Sequence, residues 1–248
     1  MQKKIKVHID ETSSYEPLKK DPTKELERNA KEILGQVKRK TTIPMRLLDN
    51  LKPSHSKTPE LYGLPKYHKP DTPLRSIVPI CNSPFVSVSW LLEKLLHPLF
   101  NKIPSHLNST DGFLNRLCRY DLQMNSNTIL FTLDVVSMYP SIPIKESISS
   151  VINLLRSTSC YTTIDIPTEV IENSLRFIFN NSYFKFDSTF YKQKKGIAMG
   201  NNIAVVVVSI FMHFFESSAP TQWNFETNLE PIRWYRYIDD IPFSFGIG

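Results

Sequence analysis

Ile129-Leu-Phe-Thr-Leu-Asp134-Val-Val-Ser-Met-Tyr139-Pro-Ser-Ile-Pro143 is the segment whose reading decides the fold. Its apolar start, bounded upstream by the turn-forming Asn125-Ser-Asn127, predicts a short strand that ends on the carboxylate of Asp134. Pro140 to Pro143 then opens a helix, with Ile144, Ile148, Val151 and Leu155 on one face. A second strand pair is expected near the C-terminus, where Arg233-Trp-Tyr-Arg-Tyr-Ile and Ile241-Pro-Phe-Ser-Phe flank Asp239-Asp240. Adjacent carboxylates at such a hairpin tip repel unless a cation neutralises them. Together with Asp134 they make the minimum set for two Mg²⁺ ions roughly 3.5–4 Å apart, the arrangement used for in-line phosphoryl transfer.

Outward from these acids, the chain of 248 residues is 41% apolar and 22% charged, enough to bury a core and unlike a disordered chain. Leu26, Ala30, Ile33, Leu34 and Val37 recur at helical spacing, predicting a helix over Pro22–Lys40 with Asp21 as its cap and a mobile segment before it. The proline-dense 61–75 segment reads as extended loop and edge strand. Further helices are expected over Pro84–Phe100, ended by Pro98, and over Thr168–Asn180, with a hairpin over Tyr183–Lys192 turning at Asp187-Ser188. Lys194 to Gly200 forms a basic, glycine-bearing loop before the apolar run Ile203–Phe215. That run has 13 residues and includes Ser209 and His213, against the roughly 20 apolar residues needed to span a bilayer, so a buried helix and no membrane partner are expected.

The net charge of +6 is unevenly placed. Residues 1–75 hold 17 basic and 10 acidic side chains, while the remaining 173 hold 13 and 14, a distribution suited to one subregion meeting a polyanion. Cys81, Cys118 and Cys160 give neither a disulfide framework nor a zinc knuckle and read as free core thiols of a reducing, intracellular compartment. The N-terminus lacks the apolar stretch of a signal peptide.

Phe131-Thr-Leu-Asp134-Val-Val-Ser-Met-Tyr139, Gln193-Lys-Lys-Gly196-Ile-Ala-Met-Gly200 and Tyr237-Ile-Asp239-Asp240 resemble, in that order, the palm motifs of reverse transcriptases. Upstream, Tyr62-Gly-Leu-Pro-Lys66-Tyr-His-Lys69 with Pro73-Leu-Arg75 is similar to the fingers motif of the Penelope-like retroelements, a branch whose relatives include telomerase. The resemblance implies an α+β right-hand polymerase with an antiparallel palm sheet flanked by helices. It would comprise a basic N-terminal extension with one helix (1–40), fingers (41–120) and a palm (121–248). The thumb is expected to be missing, because the chain stops eight positions after Asp240.

By the same resemblance, Asp134, Asp239 and Asp240 are the catalytic metal-binding carboxylates, and the Val135 carbonyl an added ligand for two Mg²⁺ or Mn²⁺ ions. Tyr139 is the gate against a ribose 2′-OH, Arg75 clamps the triphosphate with help from Lys66 and Lys69, and Gln193, Gly196 and Gly200 border the nucleotide and template. The implied partners are an RNA template, a DNA primer, their hybrid and deoxynucleoside triphosphates, and the implied location is nuclear. Departures are Asn201-Asn202 after Gly200, where the family has Ser-Pro, and Ile241-Pro242 after the paired acids. Two other readings compete. One is an inactive remnant that only binds RNA or DNA; the other is a family B-like DNA polymerase fragment, disfavoured by the absence of that family's Tyr-Gly-Asp-Thr-Asp motif.

Overall fold

The computed structural model describes residues 2–11, 13–67, 69–119, 128–157, 166–218 and 231–246. The elements run α1 (Gln2–Glu11), β1 (Tyr15–Leu18), α2 (Thr23–Lys40), α3 (Met45–Asn50), β2 (Tyr62–Pro65), β3 (Leu74–Ile77) and α4 (Val86–Leu96). Then come α5 (Thr110–Arg119), β4 (Thr128–Asp134), α6 (Met138–Ser141), α7 (Ile144–Ser157) and α8 (Thr168–Asn180). The chain continues with β5 (Tyr183–Phe186), β6 (Thr189–Gln193), α9 (Asn202–Ser218), β7 (Pro231–Trp234) and β8 (Asp240–Gly246). The backbone divides into two compact units, Met1–His97 with Tyr139–Val208 and Pro98–Met138 with Ser209–Gly248.

In the first unit α8 packs against α2, α4 and α7. The helical spacing explains why: Leu26, Ala30, Ile33, Leu34 and Val37 of α2 are buried, as are Val170, Ile171, Leu175 and Ile178 of α8. Asp21 does cap α2, but from one position further out, since its Oδ1 accepts the Thr23 N–H at 2.9 Å while Pro22 occupies the boundary. The first 40 residues hold more than the mobile start and single helix expected of them. Ile5 and Ile9 of α1 are buried in a cluster with Leu61, Val78, Phe184, Phe186 and Tyr191, and β1 joins β6 and β5 in an antiparallel sheet. Burying each isoleucine contributes about 2 kcal/mol toward holding a lysine-rich helix whose charges stay in water.

Prolines account for most of the other differences from expectation. The 61–75 segment is a hairpin, β2 against β3, with Tyr62 opposite Ile77 and Leu64 opposite Arg75. The helix expected over Pro84–Phe100 is α-helical only to Leu96 and continues as a 3₁₀ turn through Pro98, whose ring nitrogen cannot donate to the α ladder. One helix from Pro140 becomes two, because Pro143 separates α6 from α7. Cys81 is exposed rather than a core thiol. Asn125 to Asn127 and Cys160 lie outside the described residues.

The second unit is built on a three-stranded antiparallel sheet in the order β4-β8-β7. Pro242 stands in the central strand, opposite Thr132, a position where a missing N–H is normally disfavoured. Its carbonyl accepts from Tyr235, just past the end of β7, so the missing donor falls on that frayed edge and spares the β4 ladder. No described helix is long and apolar enough to cross a membrane.

Candidate active site

The two quoted acid motifs meet in the second unit. Asp134, the last residue of β4, pairs directly with Asp240, the first of β8. Directly opposed residues of an antiparallel pair have Cα atoms about 5 Å apart, so the two carboxylates are neighbours. A two-residue turn, Ile238-Asp239, joins β8 to the preceding segment. Tyr237 N–H donates to the Asp240 carbonyl at 2.9 Å and Asp240 N–H to the Tyr237 carbonyl at 3.0 Å. The Val135 N–H donates to the Asp239 carbonyl at 3.0 Å, tying the residue after Asp134 to the tip of the hairpin. Asp134 and Asp240 are exposed and Asp239 half-buried.

Ile238 has φ of 56°, a left-handed conformation that a β-branched residue adopts at a cost of about 1–3 kcal/mol. A glycine is the usual occupant of such a turn. Beneath it lies a buried polar cluster that the motifs do not foretell. Arg236 is fully buried; its Nε donates to Glu216 Oε1 at 2.5 Å, its Nη2 to the Ser209 carbonyl at 2.9 Å and its Nη1 to the Ile238 carbonyl at 3.4 Å. Ser105 Oγ donates to the other Glu216 oxygen at 2.9 Å. One signal was available in the sequence: Glu216 lies in the last turn of the apolar α9, where the negative end of the helix dipole makes an acid unfavourable without a partner.

The three aspartates and the Val135 carbonyl would offer hard oxygen ligands, and Asp134 and Asp240 are exposed to solvent. Such a set fits Mg²⁺, which takes one or two carboxylates and keeps several waters. Among the described residues there is no ready-made group of three or more His, Cys, Asp or Glu side chains that could hold a metal ion. Because Mg²⁺ keeps several waters, it does not require a closed protein cage.

The remaining predicted site residues belong to the first unit. Arg75, Lys66 and Lys69 share the β2–β3 hairpin: Arg75 is exposed on β3, and Lys66 N–H closes the loop onto the Pro73 carbonyl at 2.9 Å. From α1, Lys4 Nζ donates to the Asp71 carbonyl at 3.0 Å and to Thr72 Oγ1 at 3.1 Å, pinning the hairpin tip. Tyr139, on α6, is half-buried, and its carbonyl accepts the Ile197 N–H at 2.8 Å, so the Gly196 loop lies beside it. Gln193 is buried and donates Nε2 to the Lys195 carbonyl at 2.9 Å, shaping the loop from within.

Both glycines of this loop are needed for close approach to protein backbone. Gly196 has φ of 72° and a Cβ there would lie 2.4 Å from the Pro140 carbonyl oxygen; at Gly200, φ 108°, it would lie 2.6 Å from that of Val78. Asn201 caps α9, since its Oδ1 accepts the Ile203 N–H at 3.2 Å.

No protein-family model matches the chain, and no curated protein matches it by sequence. Solved structures do match. Apo telomerase from Candida tropicalis superposes with a TM-score of 0.57 at 12% identity, over 90% of this chain and 44% of that one. Telomerase from Candida albicans, bound to a fragment of telomeric RNA, gives 0.56 at 9% identity over 97% and 46%. The fold is that of a polymerase. A viral enzyme agrees: the BmCPV RNA-dependent RNA polymerase gives 0.52 at 10% identity over 91% of this chain and 22% of its own. The chain spans less than half the length of the telomerases it matches.

Proposed function

We propose that the chain is the fingers and palm of an RNA-directed DNA polymerase of a retroelement, adding deoxynucleotides to a primer 3′-OH. The observation that carries this reading is the direct pairing of Asp134 with Asp240, with Asp239 beside them at the hairpin tip. A polymerase fold that superposes on telomerases supports it, since the Penelope-like motifs of the sequence belong to a branch related to telomerase.

In this reading Asp134, Asp239, Asp240 and the Val135 carbonyl hold two Mg²⁺ or Mn²⁺ ions, which when bound acidify the primer hydroxyl and offset charge on the leaving group. The primer 3′-oxygen attacks the α-phosphorus, its proton passes to water, and the bond to pyrophosphate breaks. Arg75 grips the triphosphate with its guanidinium fork, Lys66 and Lys69 add charge from the same hairpin, and the Tyr139 ring excludes a 2′-OH. Gln193 maintains the Gly196–Gly200 loop that borders the nucleotide and template. The basic first third meets template backbone.

Primer extension on an RNA template with Mg²⁺ tests the substrate assignment. Deoxynucleotides are expected to be used in strong preference to ribonucleotides, and Tyr139→Ala to raise ribonucleotide use by about tenfold or more, the effect of removing one steric contact worth roughly 1.4 kcal/mol. Preference for ribonucleotides in the unaltered chain would point to RNA synthesis. RNA binding without extension would favour the binding-module reading.

A further inference from the structure

We propose that Arg236 is a positioning residue for the acidic hairpin, holding the strained Ile238 carbonyl so that Asp239 and Asp240 keep the backbone geometry in which a metal ion can bridge to Asp134. The proposal rests on the metal-binding reading of those aspartates. Its structural basis is independent of that reading. The main chain of Arg236 is fixed on both sides, with its N–H donating to the Ser105 carbonyl at 2.7 Å and its carbonyl accepting from Leu107 N–H at 2.9 Å. Its side chain then reaches three acceptors in different directions: Glu216 Oε1, the Ser209 carbonyl and the Ile238 carbonyl. A planar guanidinium can serve all three at once, which a lysine cannot.

A buried ion pair is a poor way to stabilise a fold, because desolvating both charges offsets their attraction, and apolar side chains of similar volume do as well or better. What apolar side chains cannot do is hold a carbonyl. Ile238 is the one residue of the turn with a positive φ, and such a conformation persists only where its surroundings over-determine it. The Arg236 guanidinium supplies that constraint from below, and Glu216, bonded also to Ser105, keeps the guanidinium aimed.

Pair replacement separates positioning from simple packing. In Arg236→Met/Glu216→Leu the melting temperature is expected to stay within about 5 °C of the parent. The Tyr237 and Asp240 amides should nevertheless exchange hydrogen about tenfold faster, while that of Met212 in α9 keeps its rate. Binding of Mn²⁺ alone, followed by calorimetric titration, should weaken by about tenfold, as for other residues that orient metal ligands. Unchanged exchange at Tyr237 and Asp240, acceleration shared equally by Met212, or unchanged Mn²⁺ affinity with fast hairpin exchange would each overturn the proposal. Where the double variant does not fold, Glu216→Gln takes its place: it keeps the Oε1 acceptor and should move both readouts the same way by about threefold. If the parent chain binds no Mn²⁺, the metal reading of the aspartates fails, while hydrogen exchange still decides whether Arg236 holds the hairpin.

Discussion

Asp134 and Asp240 face each other across a strand pair, where like charges side by side are destabilising. Glu27 shows what a structural carboxylate looks like in the same chain. Its Oε1 accepts from Lys31 Nζ at 2.8 Å and its Oε2 from the Ser56 N–H at 2.7 Å, joining α2 to the segment before β2. The Lys31 ammonium, then the Ser56 amide, hold its pKa down to about 2. A carboxylate whose folded pKa is lowered adds stability above its ordinary pKa and loses it as pH falls through the folded value. Glu27 should therefore stabilise the fold at about pH 6 and cease to do so toward about pH 2. Glu27→Gln should cost about 1–2 kcal/mol at about pH 6, part of the charged bonds' worth being screened by solvent, and less near about pH 2.5. Urea midpoints at the two pH values check this; an equal cost at both would contradict it.

Among the elements, the Gly196–Gly200 loop is the one most tightly fixed by sequence. Gly196→Ala should destabilise by about 2 kcal/mol or more, since the added methyl meets immobile backbone at Pro140 in a left-handed conformation. Gly35→Ala, within α2 and with only Arg39 Nη1 at 3.6 Å from the new methyl, should instead stabilise by about 0.5–1 kcal/mol. Denaturant unfolding of the two variants distinguishes them, and matching effects would contradict the structure. The helices α2 and α8 were legible because burial on one face repeats at 3.6 residues. The ordered α1 was not, because three lysines mask the two isoleucines that hold it. The site divides in the same way. The aspartates stood in recognisable local patterns, whereas the partner of Gly196 is 56 positions away at Pro140 and that of Arg236 is 20 positions away at Glu216. Long-range pairs leave no local signal; the β2–β3 hairpin, which the sequence shows only as extended loop and edge strand, is obscured by short strands and a proline-rich loop.

For the whole molecule, the charge surplus of the first 75 residues and the polymerase fold lead to one expectation about nucleic acid. If phosphate contacts dominate, RNA affinity should fall tenfold or more between about 50 and about 200 mM salt. Fluorescence anisotropy with a labelled RNA reads this directly, and a flat response would contradict the role given to the basic region. The fold alone does not establish catalysis, because polymerase-like scaffolds can carry different functions, so the account stands on its carboxylates. The most direct test is primer extension on an RNA template with Mg²⁺ and deoxynucleotides, comparing the chain with Asp239→Asn, which changes charge and little else. Extension by the parent and a loss of about a hundredfold or more in the variant is the predicted result, on the scale of removing one electrostatic contact to the transition state. Equal extension by both would contradict the assignment of these aspartates.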